Sequence, residues 1–338
     1  SQKVDYLNTF TINFDAKNGK DNDYARAVSK LFQTKHYEFT MNHKDYIGST
    51  DKFLTVLDEP IADSACIPSF YLSEKARDMG IKVLLNGAGA DEIFGGYGRH
   101  FQGSWGSPSW FSNTKSYFIR NSIYHLIKWY DLEKATRFRD PVISWATGIS
   151  GINPVTLKSL INNKINSRII DRSLDIYRGQ QNEGFKTSYE KMFNDFKNYL
   201  PNNILSLTDK STMAASVEGR VPFLDHRIIE FAFSLSQKSN LKNDIPKGLL
   251  KELMSHRLPK DLLYRSKEGF NAPDHAWASD LKEDYNNELI DQITDPLDDI
   301  FKKNEILKIL SSDKKRIKNG SLLNALYLFN KWYRFQDA

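Results

Sequence analysis

The chain has 338 residues, with 47 basic and 42 acidic side chains spread along its length, a formal charge of +5, and 40% hydrophobic content. That composition fits a globular, soluble protein, and the small, dispersed charge, without a basic block or stacking motif, argues against nucleic-acid binding. No apolar run approaches the roughly 18 residues of a membrane helix, and the lone Cys66 excludes an internal disulfide and any multi-cysteine zinc site.

The start, SQKVDYLNTF, has no secretory apolar region, so a cytoplasmic address is expected. It opens on Ser and enters a strand-like run within a few residues, which raises the expectation of a preceding segment. Polar and apolar residues alternate in LNTFTINFD, predicting a strand over Leu7 to Phe14. Ala25, Val28, Leu31 and Phe32 recur at helical spacing, and HYEFTM reads as a second strand. Helices are expected over 49–57 and 66–79, with Pro60 and Pro68 marking the loop between them. IKVLL then reads as a buried parallel strand. Strands alternating with helices predict a doubly wound, mostly parallel α/β layer over residues 1–105, incomplete at its start. The remainder, 106–338, changes character. After the turn-rich linker GSWGSPSWFSN it becomes helical and aromatic, through SYFIRNSIYHLIKWYDLEKATRF and SYEKMFNDFKNYL to SLLNALYLFNKWYRF, and these stripes read as core.

The densest stretch is LLNGAGADEIFGGYGRH at 84–100, an apolar strand running into five glycines around Asp91-Glu92. Glycine loses the most freedom on folding, so such density points to a close approach to the main chain. A loop at the carboxyl end of a parallel strand is where open α/β folds bind ligands. Asp91 could hold a magnesium ion on a polyphosphate. Equally, Asp91 and Glu92 could stabilise a helix start with no metal. By contrast, GQQNEGFKTS at 179–188 has Phe185 where a phosphate-loop lysine belongs, and no zinc-protease or nucleophile-elbow motif occurs. His36 and His226 read as ordinary surface or core residues.

A second dense stretch, TDKSTMAASVEGRVPFLDHRIIEFAFSL at 208–235, is followed by IPKGLLKELMSHRLPKDLLYRSKEGFNAP at 245–273. Together with TFTINF, LDEPIADSACIPSFYL and LNGAGADEIFGGY, in this order, these blocks resemble the synthetase domain of the asparagine synthetase family, from about residue 7 to about 275. The resemblance implies a PP-loop ATP pyrophosphatase fold, with a sheet that binds ATP and a helical region that closes over the substrate. It implies that ATP adenylates the side-chain carboxylate of aspartate and that ammonia then displaces AMP to give asparagine. That ammonia would come from a glutaminase domain not found in this chain.

Residue by residue, the resemblance places Ile12 against adenine through its backbone, and Asn86 and Gly87 on the nucleotide. Asp91 matches a magnesium ligand, and Lys247, in K-x-x-L-[RK], matches the lysine on the phosphates. Glu218 and Arg220, in E-x-R-V-P-F-L-D, either orient the substrate or hold their loop by an ion pair, and both readings stay open. Three departures stand out. No S-G-G-x-D-S phosphate loop occurs in residues 1–338, so it is expected just before residue 1 and this chain alone is expected to be inactive. Ala88 replaces a family glutamate, for which the related β-lactam synthetases have tyrosine; losing an acid or base there would cost on the order of 10²- to 10⁴-fold. No glutaminase domain with an N-terminal cysteine is present. Ala88 therefore also admits a ligase acting on another carboxylate, or a non-catalytic nucleotide-binding homologue. If the expected upstream segment supplies a central strand, the sheet has a gap for another piece or a neighbouring chain to fill, and a homo-oligomer is left open.

Overall fold

The computed structural model describes residues 6–16, 21–101, 149, 157, 159–162, 187–242, 244–265 and 270–336. The predicted linker at 103–113, the aromatic helical stretch at 116–138 and the phosphate-loop look-alike up to residue 186 lie outside them.

Strand β1, Asn8–Phe14, runs parallel to β2, Lys35–Met41, with Ile12 opposite Phe39. Alternation puts Ile12 and Phe14 on one face, where both are buried. Helix α1, Asp21–Phe32, connects the two strands as its spacing predicts. Its apolar stripe nevertheless stays open: Val28, Leu31 and Phe32 are 36%, 47% and 46% exposed, because the described chain lays no element over them.

Helix α2, His43–Leu54, begins six residues before the expected start at 49. A reciprocal cap sets that start: the Asn42 side chain accepts from the Lys44 and Asp45 amides at 2.8 and 2.9 Å, and Asp45 accepts from the Asn42 amide. Helix α3, Cys66–Asp78, includes Pro68 in its first turn instead of leaving it in the loop, since an amide there has no helical partner to lose. Cys66 is fully buried, and burial pushes its thiol pKa well up.

Strand β3, Val83–Leu85, is parallel as expected, but its partner β4, Glu218–Arg220, comes from far along the chain. It is not the buried strand that its apolar run suggested: Val83 is 38% and Leu85 66% exposed. A strand is buried on both faces only inside a sheet covered on both sides, and β3 has three residues and, among the described residues, one neighbour. Among the described residues the sheet structure is thus two separate parallel pairs, β1–β2 and β3–β4.

The rest of the described chain is mainly helical. One continuous helical run joins Ser188–Asn194, a π-helical stretch Asp195–Leu205 and Ser206–Ala214. Pro201 falls inside the π-helical stretch, where a regular α-helix would be broken by its missing amide. The final predicted stripe is core at Tyr327, with Phe329, Trp332 and Phe335 packed partly buried against it, whereas Phe193 of the middle stripe is 48% exposed. Trp277, Tyr285 and Tyr327 are buried in one cluster with Ile12, Phe14, Tyr46 and Phe70. Trp277 donates its indole N–H to Asp15 at 2.9 Å, and Tyr46 donates to Asn324 at 3.0 Å, so these two polar tips are satisfied, whereas the buried Tyr285 hydroxyl has no partner among the described residues. Among the described residues no helix is long and apolar enough to cross a membrane.

Candidate active site

The loop after β3 is built by short-range hydrogen bonds. The Asn86 amide donates to the Arg220 carbonyl at 3.0 Å, which extends the β3–β4 pairing by one step. The Asn86 side chain accepts from the Ala88 amide at 2.9 Å and turns the chain back on itself. Helix α4, Ala90–Phe94, follows without a side-chain cap, and Asp91 and Glu92 lie in its first turn, where negative charge is favoured. At its far end the Gly96 amide donates to the Asp91 carbonyl at 2.8 Å. Gly96 touches the Asp91 side chain so closely that an added Cβ would overlap the carboxylate.

Lys247 reaches this loop from the second half of the chain. Its amide donates to the Gly95 carbonyl at 3.0 Å, and its Nζ lies 2.9 Å from Asp91 Oδ1. The lysine sits in the left-handed region at φ 54°, which is uncommon for a residue with a side chain. It precedes Gly248, where a Cβ would come within 2.5 Å of the Leu241 carbonyl oxygen, so the tight turn requires glycine. Beneath both groups Ile93, Phe94 and Ala232 are buried together, with Leu249, Leu250 and Phe223 packed against them. The same small core therefore fixes the helix of Asp91 and the helix after Lys247.

The structure joins the other predicted residues only in part. Asn86 meets Arg220 through the backbone, and Gly87 follows in the turn. Arg220 Nε lies 2.8 Å from Glu218 Oε1, on the same face of β4, so these two form an exposed ion pair. Such a pair contributes little stability of its own. Ile12 lies in β1, in the other strand pair, buried in the main core.

The sequence profile of the Asparagine synthase family matches residues 1–334. The chain belongs to the asparagine synthase family. It is 24% identical over 336 residues to asparagine synthetase [glutamine-hydrolyzing] 1 of Bacillus subtilis (strain 168), a match covering 97% of this chain and 52% of that protein. A putative asparagine synthetase [glutamine-hydrolyzing] of Mycobacterium tuberculosis (strain ATCC 25618 / H37Rv) is 26% identical over 290 residues, covering 80% and 42% respectively. A putative asparagine synthetase [glutamine-hydrolyzing] 2 of Methanocaldococcus jannaschii is 36% identical over 97 residues, 29% of this chain and 18% of that protein. The chain thus spans about half the length, or less, of the curated relatives it matches.

In this asparagine synthase domain the Asp91 carboxylate is already neutralised by the Lys247 ammonium, and among the described residues no group of three or more His, Cys, Asp or Glu gathers to hold a metal. A magnesium ion takes one or two carboxylates together with phosphate oxygens. Asp91 is one such carboxylate, held here by Lys247.

Sequence reasoning missed the network behind the loop. Tyr97 donates its hydroxyl to the buried Glu92 at 2.7 Å, and burial raises the pKa of both groups. The Arg99 guanidinium lies 3.7 Å over the Tyr97 ring and donates to Asp195 Oδ2 at 2.9 Å. His100 Nε2–H donates to the same oxygen at 2.7 Å, and burial lowers the imidazole pKa. Asp195 and His100 are fully buried. The signal was Glu92, Tyr97, Arg99 and His100 at short spacing inside the glycine stretch, but Asp195 stands in an aromatic run that reads as plain core. Asp195→Asn removes the charge that balances Arg99 and is expected to cost about 3 kcal/mol in urea denaturation. An unchanged midpoint would show that the network does not hold the loop.

Proposed function

We propose that this chain forms the synthetase part of an ATP-dependent amide-forming ligase. It adenylates the side-chain carboxylate of aspartate, and ammonia from a glutaminase domain then displaces AMP to give asparagine. The observation that carries this reading is the 2.9 Å contact between Lys247 and Asp91, which joins two separate family blocks at a loop following a parallel strand. Lys247 lies against the phosphates and stabilises the charge that develops as pyrophosphate leaves, a role in which a fixed cation acts strongly when water is excluded. Asp91 holds that ammonium in place until the nucleotide arrives. Asn86 and Gly87 present backbone to the nucleotide, Ile12 meets adenine, and Glu218 and Arg220, held to each other, border the aspartate.

The same reading takes both strand pairs as parts of one doubly wound, PP-loop-type sheet. Residues 1–105 form its nucleotide-binding layer and 106–338 the helical region, with β4 reaching back to β3. Residues 1–338 contain no S-G-G-x-D-S loop, so catalysis requires a segment that supplies one, and the bare chain makes no asparagine. A cytoplasmic location accompanies this reading.

The test is pyrophosphate release by the complete protein with magnesium-ATP and ammonia, across aspartate and a panel of other carboxylic acids. Aspartate-dependent release supports the proposal. Release with another acid alone would make this a divergent ligase, for which Ala88 is the favouring observation, and silence throughout would favour a non-catalytic homologue. Lys247→Gln is expected to slow release by roughly 10²- to 10³-fold; turnover within a factor of two of wild type would remove Lys247 from the mechanism.

A further inference from the structure

The Tyr97 hydroxyl donates to the Glu92 carboxylate at 2.7 Å, and Glu92 is 1% exposed. This side-chain bond brackets Gly95 and Gly96. Gly95 stands at a φ of 66°, and a pair of glycines has unusual backbone freedom. The candidate active site hangs on that pair: the Gly95 carbonyl accepts the Lys247 amide at 3.0 Å, and the Gly96 amide donates to the Asp91 carbonyl at 2.8 Å. Asp91 Oδ1 and Lys247 Nζ, 2.9 Å apart, are therefore both tied to a turn whose own residues have no side chain to hold it. The Glu92–Tyr97 bond holds it from its two flanks. The Tyr97 ring is fixed in turn. Arg99 Cζ lies 3.7 Å from its centre, the Tyr199 ring meets it edge-on at 6.1 Å, and Asp195 anchors Arg99 at 2.8 Å.

We propose that Tyr97 is a positioning residue for the Asp91–Lys247 pair, its bond to Glu92 fixing the Gly95–Gly96 turn in the geometry that delivers the Lys247 ammonium to the reacting phosphates. This inference rests on the function proposed above. Tyr97 acts through the turn and not on the nucleotide, and a displacement of about 1 Å costs on the order of 10² in rate. The bond needs only an acceptor at residue 92, so glutamine serves there and leucine does not.

Pyrophosphate release by the complete protein, with magnesium-ATP and whichever acid supports turnover, tests it. The proteins compared are wild type, Tyr97→Phe, Glu92→Leu, Glu92→Gln, Lys247→Gln and the Tyr97→Phe/Lys247→Gln double variant. Tyr97→Phe is expected to lower kcat about tenfold while the KM for ATP stays within about twofold of wild type. Glu92→Leu breaks the bond from its other end and should reproduce that loss, and it carries the comparison if Tyr97→Phe does not fold. Glu92→Gln should stay within about threefold of wild type. In the Lys247→Gln background, Tyr97→Phe should cost less than about twofold, because the group it positions is gone. Full multiplication of the two losses, or a Glu92→Gln protein as slow as Glu92→Leu, makes Tyr97 a merely structural residue and overturns the inference. Wild-type kcat in Tyr97→Phe overturns it while the proposed function stands. Wild-type protein that releases no pyrophosphate with any acid overturns both.

Discussion

Gly96→Ala is expected to abolish nucleotide-dependent turnover in the complete protein, by at least 10²-fold. The new methyl group would occupy the space of the Asp91 carboxylate and also come within 2.8 Å of the Asp91 Cβ. Changing the Asp91 rotamer therefore does not clear the clash; the backbone of the turn must move as well. Overpacking of this kind costs about 1 to 3 kcal/mol. Its larger effect is on geometry, because Lys247 is held to the same turn at both Asp91 and Gly95, and a displacement of about 1 Å can cost 10² in rate. Gly98 is the control, since a Cβ there meets nothing within 4 Å and its φ is ordinary. Gly98→Ala should therefore stay near wild type in pyrophosphate release and in thermal midpoint. A fully active Gly96→Ala protein would mean that the Asp91–Lys247 arrangement is not the one used in catalysis.

Asp274→Asn is expected to stabilise the protein at pH 8 by up to about 4 kcal/mol and to change little at pH 4. The Asp274 carboxyl is buried, and burial pushes its pKa from 3.8 up to about 7, with the Asp63 charge adding and a Ser64 hydrogen bond opposing. Between those values the folded protein keeps a proton that the unfolded chain has released. Stability from this group is present at low pH and falls as pH rises through that window, by about 1.4 kcal/mol per unit. Asparagine cannot ionise, so the difference between variant and wild type should grow from pH 4 to 7 and then level off. Urea denaturation at pH 4, 5, 6, 7 and 8 measures it. A difference that does not change with pH would show that Asp274 is ionised in the folded protein throughout.

Local patterns were legible in the sequence where local physics decides them. Alternation gave β1, apolar spacing gave α1, and the aromatics of the last helix went where their stripe pointed. The start of α2 was misplaced because periodicity says little about the cap at Asn42. The exposure of β3 could not be read from IKVLL, since burial depends on neighbours that sequence pattern does not name. At the site, the five blocks singled out Asp91 and Lys247, and the structure puts them in contact. What the blocks could not convey is the second layer: Asp195 lies far from Arg99 and His100 in the chain, and only the fold brings the three side chains to one point.

The pairing of β3 with β4 has a consequence for synthesis. As the chain leaves the ribosome, β3 emerges long before its only described partner, and the carbonyl of Arg220 that anchors Asn86 does not yet exist. Closing so long a loop is entropically slow, and its contacts reward the chain only at the end. The loop after β3 therefore has to wait, unpaired, through translation of the whole intervening stretch, and it is among the last parts of the domain to be set.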